Sequence, residues 1–319
     1  MAKRHIFALT KIGEVEIYCF DISNTVIKNL QSSFPKVILV TDLNSVTDRS
    51  FDGCIIAAPT PFHIDYMEWS LDKKIPFLVE KPINSDEKNI LPLIKKVRSS
   101  GLFAGVAFPR RHSAGIRILA GKLKQGDIGE LKSLRLEFSQ DFRKYRPDYA
   151  KTYYANTNTG GGILMDALSH HVDLACLFAG TVSKVSCFYD KLVFDNVEVE
   201  DTAALLLKFK NGILGSITGN QFQKPNTDFI ELIGTKGSMR YERVTGMLSI
   251  NMSDNTVWDK EFVDGDWNLI VKNQAKAFLD SISNDGNSLE ITSLEEGLHE
   301  LKVILSARKS QELERVVEV

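Results

Sequence analysis

The pattern of hydrophobic and polar residues changes part of the way along the chain. Between residues 14 and 106, short apolar runs alternate with amphipathic stretches. From about residue 130, strand-like runs follow one another with few helical patterns between them. The first pattern predicts a doubly wound parallel sheet, whose strands are buried on both faces by helices. The second predicts a mainly antiparallel sheet in an α+β domain.

The first region predicts five strands joined by helices. Its apolar runs place strands at 14–20, 36–40, 52–58, 75–79 and 102–108. Its amphipathic stretches place helices at 23–34, 61–74 and 85–101. We therefore expect an α/β domain with a doubly wound parallel sheet over this region.

The second region predicts an open sheet with three helices, at 163–179, 267–284 and 292–311. Turn signals stand at 210–212 and 234–238. We expect a second domain of α+β class here. Its predicted strands are 131–138, 182–190, 202–209, 212–220, 228–234, 238–244 and 256–262.

Composition excludes several classes of function. The net charge of the 319-residue chain is -2, so neither nucleic acid nor an anionic membrane is an expected partner. The four cysteines form no C-x-x-C pair, and three lie in apolar runs, which predicts reduced thiols in a cytoplasmic protein. No apolar run reaches the ~18 residues of a membrane helix, and the first residues do not form a secretory signal.

The first candidate motif is Glu80-Lys81-Pro82, directly after the predicted strand 75–79. Ligands of open parallel sheets bind beyond the carboxyl ends of the strands, so Lys81 is placed to meet a substrate or cofactor. A solvated lysine at a strand end is the alternative interpretation.

The second candidate motif is the glycine-rich start of helix 163–179. Asp166, His170 and Asp173 fall at i, i+4 and i+7, hence on one face of a regular helix. Asp166 is expected to hold the imidazole of His170 and to raise its basicity, as a general base requires. A helix N-terminal carboxylate next to a hydrogen-bonded core histidine is the alternative. No third ligand is found, so no metal is predicted, and Gly160–Gly162 indicate a close backbone approach.

Two further features carry weaker signals. Asp21 ends the strand 14–20, where a carboxylate can bind an adenosine ribose and favour NAD over NADP; capping the helix 23–34 is the alternative. The stretch 143–154 interleaves basic and aromatic residues. It is interpreted as a loop that contacts a sugar or a carboxylate, with a plain solvated loop or a nucleic-acid patch as alternatives.

Together these segments resemble the family of glucose-fructose oxidoreductase, inositol dehydrogenase and rhizopine-catabolism proteins. The resemblance covers essentially the whole chain, and its motifs are specific in their order and spacing rather than individually. The segments that carry it are 57–83, 105–111, 161–174, 197–217, 231–239 and 293–310.

The resemblance implies an NAD-dependent oxidoreductase, with NADP as an alternative cofactor. It implies a Rossmann-like dinucleotide-binding domain over residues 1–108 and a substrate-binding and oligomerisation domain of α+β class over residues 109–319. Its reaction moves a hydride between nicotinamide and a carbinol carbon of a sugar, cyclitol or sugar-derived acid. A homodimer or homotetramer through the C-terminal sheet is expected. The implied catalytic residues are Lys81, Asp166 and His170. The implied cofactor-binding residues are Asp21, Pro59, Thr60, His63, Glu80 and Lys81. The implied substrate-binding residues are Arg111, Tyr153, Asp166 and His170.

The chain also departs from the family pattern. Thr60, Leu168 and Pro109 stand where the family often has Asn, Gly and a polar residue. Family members open with a buried strand and G-x-G-x-x-G, whereas Ala2 aligns with the third glycine. We therefore expect the central first strand and the phosphate-binding loop to be missing from the chain as numbered, which would weaken cofactor binding. A non-catalytic sensor or interaction protein, and a misassigned start of the coding sequence, are the two alternatives.

Overall fold

The computed structural model describes residues 1–13, 15–46, 51–252, 257–263, 265–283 and 291–319. Glu14, Thr256 and Asn284, each at the end of a predicted element, lie outside these residues. The α-helices are α1 (Ala2–Leu9), α2 (Asn24–Ser33), α3 (His63–Asp72), α4 (Ile90–Ser100), α5 (Ala114–Gln125), α6 (Phe142–Tyr145), α7 (Ser169–Ala179), α8 (Trp267–Ser283) and α9 (Leu294–Glu312).

The strands follow the two regions that the hydrophobic pattern predicts. In the first region they are β1 (Tyr18–Phe20), β2 (Ile38–Val40), β3 (Cys54–Ile56), β4 (Phe77–Glu80) and β5 (Ala104–Ala107). In the second region they are β6 (Leu131–Asp141), β7 (Val182–Asp190), β8 (Thr202–Phe209), β9 (Leu214–Asn220), β10 (Phe222–Gly234), β11 (Ser238–Glu242), β12 (Met247–Asn251), β13 (Asp259–Phe262), β14 (Thr292–Ser293) and β15 (Val317–Glu318).

The parallel strands of the first region form two sheets. β1 pairs with β2, and β3 pairs with β4, which pairs with β5; all three pairings are parallel. Within the described residues, no strand pairing joins β1 to β3. The α/β class with parallel strands is confirmed, while the missing first strand stays a prediction.

The second region forms one large, mainly antiparallel sheet, as predicted. Its nine strands run in the order β13-β12-β11-β10-β6-β9-β8-β7-β15. Among the pairings of its described residues, that of β6 with β9 is parallel and the others are antiparallel. The turns predicted at 210–212 and 234–238 join the antiparallel pairs β8–β9 and β10–β11.

One face of the large sheet is packed by α7 and α9. Along β8, Ala203, Leu205 and Leu207 are buried and alternate with exposed residues, as the two-residue period of a strand requires. On the outward face, Leu206 is 65% exposed and Phe188 on β7 is 77% exposed. An apolar outward face therefore remains in the single chain.

The end of the chain returns to the first region. Thr292 and Ser293 of β14 pair with β5, and α8 packs on α1. The predicted division at residues 108 and 109 falls between β5 and a 3-10 helix (Pro109–His112), and it stays a prediction. No helix built from the described residues is long and apolar enough to cross a membrane.

Several predicted elements differ from those in the structure. The helix predicted at 85–101 begins only at Ile90, because Asn89 has a φ of 62° and interrupts any earlier helical turn. The helix predicted at 163–179 begins with a π-helical segment (Leu164–Leu168) before α7. Six elements of the structure were not predicted from the sequence, namely α1, α5, α6, β12, β14 and β15.

Candidate active site

The candidate site lies where β4 ends. Glu80 is the last residue of β4, Lys81 follows it, and the Lys81–Pro82 peptide bond is cis. The buried carboxylate of Glu80 accepts a hydrogen bond from His5 Nε2 of α1 at 2.6 Å. Burial alone would raise the pKa of Glu80, but this hydrogen bond and the charges of His5 and Lys81 outweigh burial and lower it. Glu80 therefore holds α1 against the end of β4.

Lys81 reaches the π-helical segment that precedes α7. Its ammonium donates to the backbone carbonyl of Asp166 and lies 3.4 Å from Oδ1 of the same residue. Asp166 also accepts a hydrogen bond of 2.9 Å from the hydroxyl of Tyr153. Residues from three separate parts of the sequence therefore meet at one carboxylate.

The glycines before the π-helical segment permit close approaches of the backbone. A Cβ on Gly161 would lie 2.2 Å from the carbonyl oxygen of Tyr154, and one on Gly162 would lie 2.4 Å from Glu200. Gly160 and Gly162 also have φ angles of +84° and +85°, which side chains disfavour. The predicted close approach of the backbone is confirmed.

His170 lies in the first turn of α7, but it is not oriented by Asp166. Within the described part of the chain, the two side chains share no hydrogen bond, and buried Nδ1 of His170 has no partner. Burial lowers the pKa of His170 well below its usual range, and the charges of Lys81, Arg110 and His171 lower it further. Lys81 and Tyr153 engage the carboxylate of Asp166 instead. These contacts do not support the expectation that Asp166 raises the basicity of His170, and that role stays a prediction.

The ring of His170 is held by packing instead. Phe108, at the end of β5, contacts it edge to face with ring centroids 5.7 Å apart. The residue is only partly buried although Nδ1 is fully enclosed. The exposed part of the imidazole is thus available for a ligand.

The predicted cofactor-binding residues divide into two groups. Asp21 follows β1, and one of its oxygens accepts a hydrogen bond from the backbone of Ser23. Thr60 lies close to Gly160, where an added Cβ would stand 3.4 Å from its hydroxyl. Pro59 precedes Thr60 in the loop that follows β3. These three residues lie beyond carboxyl ends of parallel strands, where dinucleotides bind.

His63 and Glu80 belong to the second group, because protein atoms occupy their polar groups. The ring nitrogens of His63 lie 2.9 Å from the carbonyl oxygens of Ala58 and Pro82. Glu80 is held by His5. Both residues hold neighbouring parts of the chain in place, and their contacts with protein atoms do not favour direct binding of a cofactor.

Arg111 lies in a buried ion-pair network. Its Nε is 3.0 Å from both carboxylate oxygens of Asp173, and Nη1 is 3.1 Å from Glu296. Its described contacts include none with Lys81, Asp166 or His170. The structure thus does not bring Arg111 to the cluster, and its contacts do not favour the substrate role that the resemblance implied.

Three polar residues near the site escaped the sequence analysis. His5 holds Glu80, Glu200 accepts from the backbone of Leu164 at 3.1 Å, and Asp228 joins Arg110 to His171 at 2.6 and 3.2 Å. A cavity of about 20 Å³ beside Asp228 has room for about one water molecule and is lined by none of the predicted site residues. His5, Glu200 and Asp228 each bind residues that are distant in the sequence. The available sequence signal is therefore an acidic residue or a histidine within an apolar run.

Comparison with known proteins agrees with this architecture. Residues 116–240 match the GFO/IDH/MocA C-terminal domain. The uncharacterized oxidoreductase YrbE of Bacillus subtilis is 27% identical over 75% of this chain and 70% of its own length. Myo-inositol 2-dehydrogenase of Thermotoga maritima is 26% identical over 62% of this chain, and the alignment spans 59% of the dehydrogenase, less than two thirds of it.

A solved structure extends the similarity of fold to the entire chain. Levoglucosan dehydrogenase in complex with NADH and levoglucosan superimposes with a TM-score of 0.88 at 18% sequence identity. The superposition covers 100% of this chain and 96% of that one. Residues 116–240 therefore form a GFO/IDH/MocA C-terminal domain, and the chain is similar to oxidoreductases in sequence and to levoglucosan dehydrogenase in fold.

Proposed function

We propose that this protein is an NAD(P)-dependent oxidoreductase that oxidises a carbinol carbon of a sugar, cyclitol or sugar-derived acid. The observation that carries the proposal is the meeting of Lys81 and Tyr153 at the carboxylate of Asp166, on the segment that leads to His170. A cation, a phenol, a carboxylate and a neutral imidazole together suit the removal of a proton from an alcohol. The named activities of the relatives support the same class of reaction.

His170 would take the proton of the substrate hydroxyl. Its low pKa keeps the imidazole neutral and able to accept a proton at neutral pH. Nδ1 is enclosed without a partner among the described residues, so Nε2 is the nitrogen assigned to the substrate. As the carbinol C–H bond breaks, the hydroxyl O–H proton moves to this nitrogen and the C–O bond becomes a carbonyl. When bound, the oxidised nicotinamide supplies the hydride acceptor.

Lys81 would stabilise the oxygen as negative charge develops on it. An ammonium has three donors, and the carbonyl and carboxylate of Asp166 engage two of them. One donor therefore remains for the substrate oxygen. Asp166 fixes the position of the ammonium, and its Oδ2, which has no described partner, can accept from a second substrate hydroxyl.

The residues beyond β1 and β3 fit a dinucleotide. Asp21 uses only one carboxylate oxygen for Ser23, and the other can accept from ribose hydroxyls. Gly160 leaves open the space beside Thr60 and Pro82 that a Cβ would fill. Asp21, Pro59 and Thr60 are thus the residues proposed to hold the cofactor, with NAD favoured over NADP by the charge of Asp21.

We further propose that the outward face of the large sheet forms a homodimer or a dimer of dimers. Phe188 and Leu206 are large apolar side chains that stand exposed on neighbouring strands. An apolar patch on an open sheet is usually covered by association, and two-fold symmetry is the commonest arrangement.

Exchange of Lys81 tests the proposed chemistry. With purified protein, NAD and a panel of sugars, cyclitols and sugar acids, the absorbance of NADH should rise. Lys81→Ala should reduce turnover by about 10²–10³, the usual effect of removing one donor to a developing oxyanion. Lys96→Ala is the matched control, because Lys96 is an exposed lysine that pairs with Glu68. Equal turnover by the Lys81 and Lys96 variants would remove Lys81 from the mechanism.

A further inference from the structure

A short basic segment borders the site and is fixed in place by an apolar cluster. Residues 143–151 contain four basic side chains and one acidic one. The segment begins in α6, whose first residue, Phe142, packs on Tyr154 with ring centroids 4.4 Å apart. Phe194 packs against both rings. Buried aromatic contacts therefore set the position of the segment, and its positive charges are left for other interactions.

Arg146 is the basic residue of this segment that contacts Tyr153, a residue of the site. Its guanidinium carbon lies 5.9 Å from the ring centroid of Tyr153. The hydroxyl at the other end of that ring donates to Asp166, which in turn holds Lys81. One tyrosine ring thus separates the guanidinium from the proposed catalytic residues.

Arg146 also lacks a counter-charge. Over the described residues, its side chain forms neither an ion pair nor a hydrogen bond, and the residue is exposed. The two arginines that follow β5 differ, since Arg110 pairs with Asp228 and Arg111 with Asp173. This unpaired guanidinium borders the site and stacks on a tyrosine. It is suited to bind an oxyanion through two parallel, bidentate hydrogen bonds.

We propose that Arg146 binds a carboxylate of the substrate, so that the protein prefers sugar acids to neutral sugars and polyols. This inference rests on the proposed function and narrows its substrate class. A sugar acid could place one carbinol carbon at Lys81 and His170 while its carboxylate reaches past Tyr153 to Arg146. The diphosphate of the dinucleotide offers the same oxyanion chemistry, and the experiment below separates the two sources.

Calorimetry with matched acid and neutral ligands tests the inference. The NADH complex of the wild-type protein is titrated with pairs such as gluconate and glucitol, or glucuronate and glucose, and NADH is titrated separately. Wild-type protein should bind at least one acid about tenfold or more tightly than its neutral partner, as a charge-assisted hydrogen bond predicts. Arg146→Gln should abolish that preference and leave NADH affinity unchanged. Arg146→Lys should retain part of it, because a point charge remains.

Arg143→Gln is the matched control. Arg143 lies in the same short helix and its removal changes the net charge equally, but it stacks on Phe194 at 5.7 Å rather than on Tyr153. It should keep the acid preference. If no acid in the panel binds more tightly than its neutral partner, the inference is overturned. A loss of NADH affinity in Arg146→Gln, with acid binding unchanged, overturns it in favour of the diphosphate.

The two proposals fail differently. Oxidation of neutral polyols without any preference for acids overturns the role of Arg146 and leaves the oxidoreductase assignment standing. Tight, Arg146-dependent binding of acids without oxidation of any ligand overturns the reaction and leaves the binding site standing.

Discussion

The ammonium of Lys81 lies 3.4 Å from the carboxylate of Asp166, although 85 positions separate them in the sequence. The pair joins the end of a strand in the parallel sheet to the π-helical segment before α7. Both side chains are largely buried, at 11% and 16% exposed, so their interaction is less screened than a surface ion pair. Their contact holds the ammonium of Lys81 in the position that the proposed reaction requires.

The first prediction concerns the protonation of His170. Burial is the largest cause of its low pKa, and the charge of Lys81 is the next. In Lys81→Met the pKa of His170 should rise, yet remain below the usual value of about 6.5, because burial persists. Titration of the imidazole by NMR measures this directly. Lys96→Met should leave the titration unchanged, and an unchanged pKa in Lys81→Met would mean that the ammonium lies too far from the ring to act on it.

The second prediction separates the role of Arg111 from the chemistry. Arg111 pairs with buried Asp173, so Arg111→Gln leaves a carboxylate without its counter-charge and should lower the free energy of unfolding by about 3–5 kcal/mol. Arg98→Gln breaks an exposed pair with Glu295 and should cost about 0–1 kcal/mol. Urea denaturation of both variants measures the difference. If Arg111→Gln keeps full stability but loses substrate affinity, the role implied by the resemblance is correct after all.

The third prediction uses Glu300, a carboxyl group buried in α9. Neither of its oxygens has a partner within the described residues, and burial raises its pKa well above the usual range. As pH rises above about 4.3, the unfolded chain releases this proton while the folded protein retains it, so folding loses stability until the folded pKa is passed. Glu300→Gln cannot titrate, and its advantage over wild type should grow with pH.

Urea denaturation at about pH 5 and about pH 8 measures that advantage. Glu318→Gln, at a side chain that is 82% exposed, is the control and should show no growing difference. An advantage of Glu300→Gln that is independent of pH would show that Glu300 does not titrate differently in the folded and unfolded states.

The fourth prediction concerns assembly. Leu206→Glu or Phe188→Glu places a charge on the outward face of the large sheet and should convert the proposed dimer into monomers. Ile22→Glu, at a residue that is 82% exposed in the first region, should leave assembly unchanged. Light scattering at matched concentrations measures the mass. A wild-type protein that is monomeric when concentrated would contradict the proposed interface.

Local sequence patterns predicted much of the fold. The strands β7 and β8 have the predicted bounds, because alternating burial along a strand is visible in the sequence. The positions of the Glu80-Lys81-Pro82 and glycine-rich motifs could also be predicted. Each motif lies at a junction between a strand or loop and a helix, and local patterns show such junctions. The family resemblance added roles that no single motif could supply.

Long-range contacts account for what the sequence analysis missed. The π-helical segment Leu164–Leu168 stands where a regular helix was predicted, and nothing in residues 163–170 signals it. The partners of Glu80 and Arg111 lie 75 and 62 positions away, so their hydrogen bonds depend on tertiary packing. Arg111 therefore resembled a site residue in the sequence and lies in an ion-pair network in the structure.

Transfer of deuterium from substrate to cofactor tests the central claim most directly. A sugar or polyol that is oxidised in the panel is deuterated at the carbinol carbon and incubated with NAD and the protein, and the recovered NADH is analysed by mass spectrometry and NMR. The account predicts deuterium at C4 of the nicotinamide, with a rate that falls by about 10²–10⁴ in His170→Ala. Oxidation that leaves C4 without deuterium, or transfer that proceeds at the wild-type rate in His170→Ala, would contradict it.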